Sequence, residues 1–159
     1  MTGAVDGLDE VELIAKSVAL TNMEATKKKT HVHFDAGGAK AVLLLDAAKI
    51  RQVVDNLLSN AVKYSPPGSQ ITVTLAVDAA AQSCAFAVQD QGPGIPAGER
   101  DKLFKDFSRL SVKPTGGEKS TGLGLAICRK IVEAHRGVIS AANLPTRGCE
   151  FRVTLPTAP

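Results

Sequence analysis

Asp46–Ser65 reads DAAKIRQVVDNLLSNAVKYS, and its spacing decides the fold. Ile50, Val53, Val54, Leu57, Leu58 and Ala61 recur at i, i+3, i+4, i+7, i+8 and i+11, which makes one broad apolar helix face. Asp46 is a fitting N-cap, and Pro66–Pro67–Gly68 stops the helix. On the same helix Asn56, Asn60 and Lys63 form a polar stripe, expected opposite the buried face. Asn is a poor helix former, so two on one stripe call for an explanation. An amide carbonyl can ligate Mg²⁺ and a lysine can meet phosphate. Taken by itself, the helix is more simply explained by an exposed polar face.

Working outward, Leu8–Thr26 reads as a helix, with Leu13, Ala19–Leu20 and Met23 as an imperfect apolar stripe. Lys27–Lys29 reads as a solvated turn. Thr30–Asp35 alternates as a strand, with Val32 and Phe34 on one face and His31 and His33 on the other. Ala41–Leu45 is a second strand. Beyond the decisive helix, Gln70–Val77 and Ser83–Asp90 read as an antiparallel hairpin, followed by the turn Gly92–Pro93–Gly94. Ala97–Phe107 suggests a short helix, and Ser108–Thr121 a mobile loop. Leu123–His135 is a second amphipathic helix, with Gly137 past its end, and Val138–Ala141 and Glu150–Leu155 close the chain as strands. Strand pairs and helices interleave without a βαβ rhythm. The expectation is an α+β two-layer sandwich with helices on one sheet face.

The composition fits one domain. Of 159 residues 44% are hydrophobic, too many for a disordered chain. The net charge of +3 is mild, Lys27–Lys29 is the one basic run, and aromatic residues make up 4%; nucleic-acid binding is not expected. The three cysteines are widely spaced with no CxxC pair, so they read as reduced thiols in a cytoplasmic compartment. No signal peptide is evident, and no apolar stretch is long enough to span a bilayer.

Two further segments carry chemistry. Asp90–Pro96, DQGPGIP, follows a strand; its glycines permit close backbone approach, and Asp90 can accept a hydrogen bond from an exocyclic amine such as that of adenine. Ser120–Leu125, STGLGL, opens a helix, where free N–H groups and the helix dipole favour anions. It is neither a P-loop nor a Rossmann fingerprint. An amide-bearing helix, an adenine-type aspartate, a basic loop and an anion-binding helix start in one short domain together describe an ATP·Mg²⁺ site.

At this point the chain resembles the catalytic, ATP-binding domain of bacterial sensor histidine kinases, part of the GHKL superfamily with DNA gyrase B and MutL. Gln52–Ser65 resembles the N box, Asp90–Pro96 the first glycine box, Leu103–Leu110 (LFKDFSRL) the F box, and Ser120–Ile127 the second glycine box. The four stand in the family's order, and the resemblance runs from about Asp9 to Pro156 within a single domain of residues 1–159. It implies a mixed five-stranded sheet covered on one face by three helices. It makes Asn60 the Mg²⁺ ligand, places Asn56 near the metal and the γ-phosphate, Lys63 on phosphate, and Tyr64 against adenine. Asp90 would bond the adenine amino group, while Gly92, Gly94 and Ile95 shape the purine pocket. Phe104 and Phe107 would seat an ATP lid spanning Ser111–Lys119, with Arg109 reaching the γ-phosphate. Lys119, Ser120, Thr121, Gly122, Leu123, Gly124 and Leu125 would line the phosphates.

Four departures stand out, one of them Ser120, which stands where many members have Gly. Asn56 occupies the position where ATP-hydrolysing relatives carry Glu, and an amide cannot act as general base, so slow hydrolysis is expected. Arg136 stands where a second glycine is common, and Cys149 where Ser or Thr is frequent. None of the three histidines fits a phosphoacceptor: His31 and His33 lie in a strand, where they read as an exposed pair rather than metal ligands, and His135 lies at a helix end. The resemblance therefore implies a monomeric ATP-binding unit that does not phosphorylate itself. It would act on a histidine of a separate dimerisation domain and, through it, on a response regulator, with any membrane anchor lying elsewhere in the full-length protein. Weighed beside this are an anti-sigma-factor-like serine kinase and a nucleotide-binding pseudokinase or interaction module.

Overall fold

A computed structural model of the chain describes residues 5–36, 42–78, 80–95, 104, 124–145 and 147–157, with the backbone alone for 5–11 and 42–45. The described elements are β1 (Val5–Asp9), α1 (Glu10–Ala25), a 3-10 turn (Thr26–Lys28), β2 (His31–Asp35), β3 (Val42–Asp46), α2 (Ala47–Tyr64), β4 (Gln70–Asp78), β5 (Ser83–Gln89), α3 (Gly124–Ala134), β6 (Val138–Asn143) and β7 (Cys149–Pro156). Five strands form a mixed sheet in the order β2-β4-β5-β7-β6. β2 runs parallel to β4, so the chain must cross over between them, and α2 lies in that connection. The remaining pairings are antiparallel. β1 and β3 pair antiparallel as a separate two-stranded sheet.

Period-two alternation turns Ile71, Val73 and Leu75, then Cys84, Phe86 and Val88, and Phe151, Val153 and Leu155 towards the helices. All six apolar positions read from α2 are buried there, at 0–4% exposure. Burying one Leu or Ile contributes roughly 1.5–3 kcal/mol. Two asparagines cost the helix well under about 1 kcal/mol each relative to Ala. Packing therefore holds α2 helical whatever its polar residues prefer. The Asp46 side chain accepts from the Lys49 amide at 3.2 Å, as an N-cap does.

Four local expectations are corrected. The first helix does not begin at Leu8: that backbone pairs with Leu43 in the β1–β3 ladder. Leu20 and Met23 are 50% and 69% exposed, and the inner face of α1 is Leu13, Ile14, Ser17, Val18 and Ala25. The Lys27–Lys29 run is not wholly solvated, because Lys28 Nζ donates to the Val62 and Lys63 carbonyls and so caps the C-terminus of α2. At the end of α3 the left-handed residue is Arg136 (φ 62°), not Gly137. The Arg136 amide bonds Glu133 O and the Gly137 amide bonds Val132 O, which is a Schellman motif with arginine at its left-handed position. Gly137 serves contact: a Cβ on it would lie 2.5 Å from Thr154 O.

Candidate functional site

The strongest geometry surrounds Asp90, one residue beyond β5. The residue is 7% exposed, and Oδ1 accepts from the Gly92 amide at 2.9 Å and the Cys149 amide at 3.2 Å. Its own amide donates to Cys149 O at 3.0 Å. Burial raises the carboxyl pKa, and the two amide donors partly oppose that rise. Both amides donate to Oδ1, so among the described residues Oδ2 is left for an incoming donor such as an aromatic amine.

The glycine segment is mounted on three elements. A Cβ on Gly92 would sit 2.5 Å from the Tyr64 carbonyl, so glycine is needed where this turn crosses the end of α2. Gly94 has φ +84°. Asn143, the last residue of β6, accepts from the Ile95 amide at 2.6 Å and donates to the Ile95 carbonyl at 3.1 Å. Arg147 Nε donates to the Gln91 carbonyl at 3.0 Å. Ile95 itself is 8% exposed.

The second cluster joins α2 to α3. Gly124 opens α3 with its Cα facing Asn56: a Cβ there would be 3.7 Å from Asn56 Oδ1. The Cys128 thiol, one turn further on, is fully buried and donates weakly to the Val53 carbonyl at 3.9 Å. Burial pushes this thiol up to about 11 against the opposing hydrogen bond from Asn56, so it is protonated at neutral pH. Asn56 and Asn60 are half-buried, and Asn56 lies on the α3 flank of the helix rather than opposite its buried face. Lys63 is also half-buried and lines a groove of about 660 Å³ between α1 and α2, with Leu20, Thr21, Asp55 and Val62. That groove lies away from Asp90, on the α1 side of α2.

Phe104 is half-buried and meets the Phe151 ring edge-on, with centroids 6.3 Å apart. Phe107, Arg109, Lys119, Ser120, Thr121, Gly122 and Leu123 lie outside the described residues, as do the lid positions 111–119 and, apart from Phe104, the short helix read over 97–107. Leu125 is described and packs partly against the core.

Residues 45–159 match the family described as histidine kinase-, DNA gyrase B- and HSP90-like ATPases. The chain belongs to this ATPase family. Sensor histidine kinase WalK of Bacillus subtilis is 37% identical over 142 residues, covering 88% of this chain and 23% of WalK. The mycobacterial sensor histidine kinase MprB superposes with a TM-score of 0.86 at 28% identity, covering 97% of this chain and 99% of the MprB chain. Full-length ShkA, solved in complex with AMPPNP, gives a TM-score of 0.85 at 25% identity, covering 99% of this chain and 32% of ShkA. The chain spans roughly a quarter of the length of the curated relatives it matches. The two-layer sandwich expected from the sequence is thus the fold of this ATPase family. Among the described residues no helix is long and apolar enough to cross a membrane.

Sequence reading missed Asn143, Gly148 and Arg147, which fasten the Asp90–Ile95 segment from the end of β6 and the turn into β7. Gly148 carried a legible signal, a lone glycine before a strand. Asn143 lies 48 positions from its partner Ile95, and no periodicity links them.

Proposed function

We propose that the chain is the ATP·Mg²⁺-binding catalytic unit of a sensor histidine kinase acting in a cytoplasmic compartment. It would donate the γ-phosphate to a histidine on a separate dimerisation domain, from which a response regulator would take it. The carrying observation is the Asp90 carboxylate, buried at a strand end, anchored through one oxygen and, among the described residues, open at the other. Family membership and the AMPPNP complex of ShkA support the same reading.

The residues fit the nucleotide by chemistry. Asp90 Oδ2 takes the adenine amino group, the segment Gly92–Ile95 forms the purine wall, and Tyr64 lies beside it. Asn60, with Asn56 beside it, offers amide oxygen to Mg²⁺, which prefers hard oxygen ligands and commonly completes its shell with phosphate and water. When bound, Mg²⁺ neutralises charge on the transferring phosphate. Lys63 reaches phosphate by rotating its flexible stem from the α1 groove towards Asn60. Gly124 and Leu125 present amides at the start of α3, and the resemblance to the kinase domains assigns Gly122, Leu123, Arg109, Phe107, Lys119, Ser120 and Thr121 to the phosphate side. Catalysis is then positioning of an in-line acceptor. Asn56 leaves water without a base at that position, which preserves the γ-phosphate for a protein acceptor.

The acceptor is external. His31 and His33 sit exposed on β2, and both nitrogens of His135 are engaged: Nδ1–H donates to Ile131 O at 2.8 Å and Nε2 accepts from the Asp46 amide at 3.3 Å. Melting the chain with ATP·Mg²⁺ and with GTP·Mg²⁺ tests the binding claim. The midpoint rises with ATP alone if the purine site is as assigned; equal shifts, or none at millimolar nucleotide, contradict it. Phosphotransfer is tested by adding the histidine-bearing dimerisation domain and radiolabelled ATP.

A further inference from the structure

We propose that Asn143 is a positioning residue for the purine pocket, its side-chain amide standing in for a neighbouring strand to hold Gly94 and Ile95 in place. The inference rests on the nucleotide reading above and adds a residue to it. β6 ends at Asn143, paired in register with Cys149, so its side chain is delivered beside the Asp90 anchor. The amide makes both bonds an adjacent strand would make, accepting from the Ile95 amide and donating to the Ile95 carbonyl. Gly94 closes on the same group: at φ +84° its Cα faces Asn143 Oδ1, and a Cβ would stand 2.8 Å from that oxygen. Asn143 is solvent-exposed, so the core does not require it. Its two bonds serve the glycine segment.

A planar amide is the shortest side chain that offers one acceptor and one donor side by side. A carboxylate in its place would accept from the Ile95 amide but face the Ile95 carbonyl with a second acceptor. A protonated carboxyl would restore the donor. A residue that merely filled space would not make the pocket depend on that proton.

The test compares wild type, Asn143→Leu and Asn143→Asp by amide hydrogen exchange at Ile95 without nucleotide and by ATP·Mg²⁺ titration. At neutral pH both variants are expected to lose about tenfold in Ile95 protection and in ATP affinity. As pH falls through the range of the introduced carboxyl, roughly 4–5, the Asn143→Asp to wild-type ratio should climb towards one. The Asn143→Leu ratio should stay low. Measuring against wild type at each pH removes the titration of Asp90. Unchanged Ile95 exchange in Asn143→Leu, or Asn143→Asp tracking Asn143→Leu at every pH, would overturn the proposal. Loss of Ile95 protection in a chain whose wild type binds no ATP would overturn the nucleotide reading and leave the clamp standing.

Discussion

Gly148 packs so closely on the end of β5 that a Cβ built on it would stand 1.9 Å from the Asp90 carbonyl oxygen. Its φ of +94° would strain any other residue as well. The next residue, Cys149, supplies the amide that anchors Asp90 Oδ1. Gly148→Ala must therefore push the β6–β7 turn off the carboxylate. The expected cost is about 2 kcal/mol or more of stability, with loss of ATP binding, read by urea denaturation and nucleotide titration. A variant with wild-type midpoint and affinity would refute the contact.

Arg136 occupies the left-handed position of the α3 Schellman motif, where an L side chain is strained. Arg136→Gly should stabilise the domain by about 1 kcal/mol, offset in part by the greater freedom of glycine when unfolded. The denaturant midpoint should rise with the slope unchanged. Nucleotide affinity should not move, since Arg136 is remote from Asp90 in the assigned site.

Lys28 donates to two carbonyls at the end of α2, at 2.7 Å from Val62 O and 3.1 Å from Lys63 O. Lys28→Met keeps much of the stem and removes the donor. A loss of about 1 kcal/mol is expected. Amide exchange should quicken in the last turn of α2, which carries Tyr64 beneath Gly92, before it quickens elsewhere.

Asn60→Ala should lower affinity for ATP·Mg²⁺ while leaving affinity for metal-free ATP nearly unchanged, because the amide oxygen is assigned to the ion. Titrations with and without a chelator give that ratio directly. Equal loss in both would move Asn60 off the metal.

Legibility followed the range of the interaction. α2 and the β4–β5 hairpin were readable because period and turn chemistry are local, and Asp90–Ile95 because two glycines flank a proline. β1 was not: VDGLD has no alternation, and its strand state comes from pairing with β3, some 40 residues on. The inner face of α1 was misjudged because Ser17 is buried while Leu20 and Met23 are exposed, the reverse of their hydropathy. Asn143 and Lys28 act on carbonyls 48 and 34 residues away, so only the folded chain reveals them. The Asn56–Asn60 stripe was read as lying opposite the buried face, but Asn56 faces α3 rather than open solvent.

The central claim is that the buried Asp90 carboxylate is kept for an incoming amine. Because burial raises its pKa in the folded state, folding takes up protons there. Its ionised form therefore costs stability, a cost absent well below its unfolded pKa and complete once pH has passed the raised folded value. Asp90→Asn keeps an acceptor for the Gly92 and Cys149 amides and replaces Oδ2 with a donor. The decisive measurement is calorimetric titration of ATP·Mg²⁺ into Asp90→Asn and wild type at neutral pH, with thermal midpoints taken alongside. The account predicts a variant at least as stable as wild type, with ATP affinity lower by about tenfold to a hundredfold. A folded variant that binds ATP as tightly as wild type would contradict it.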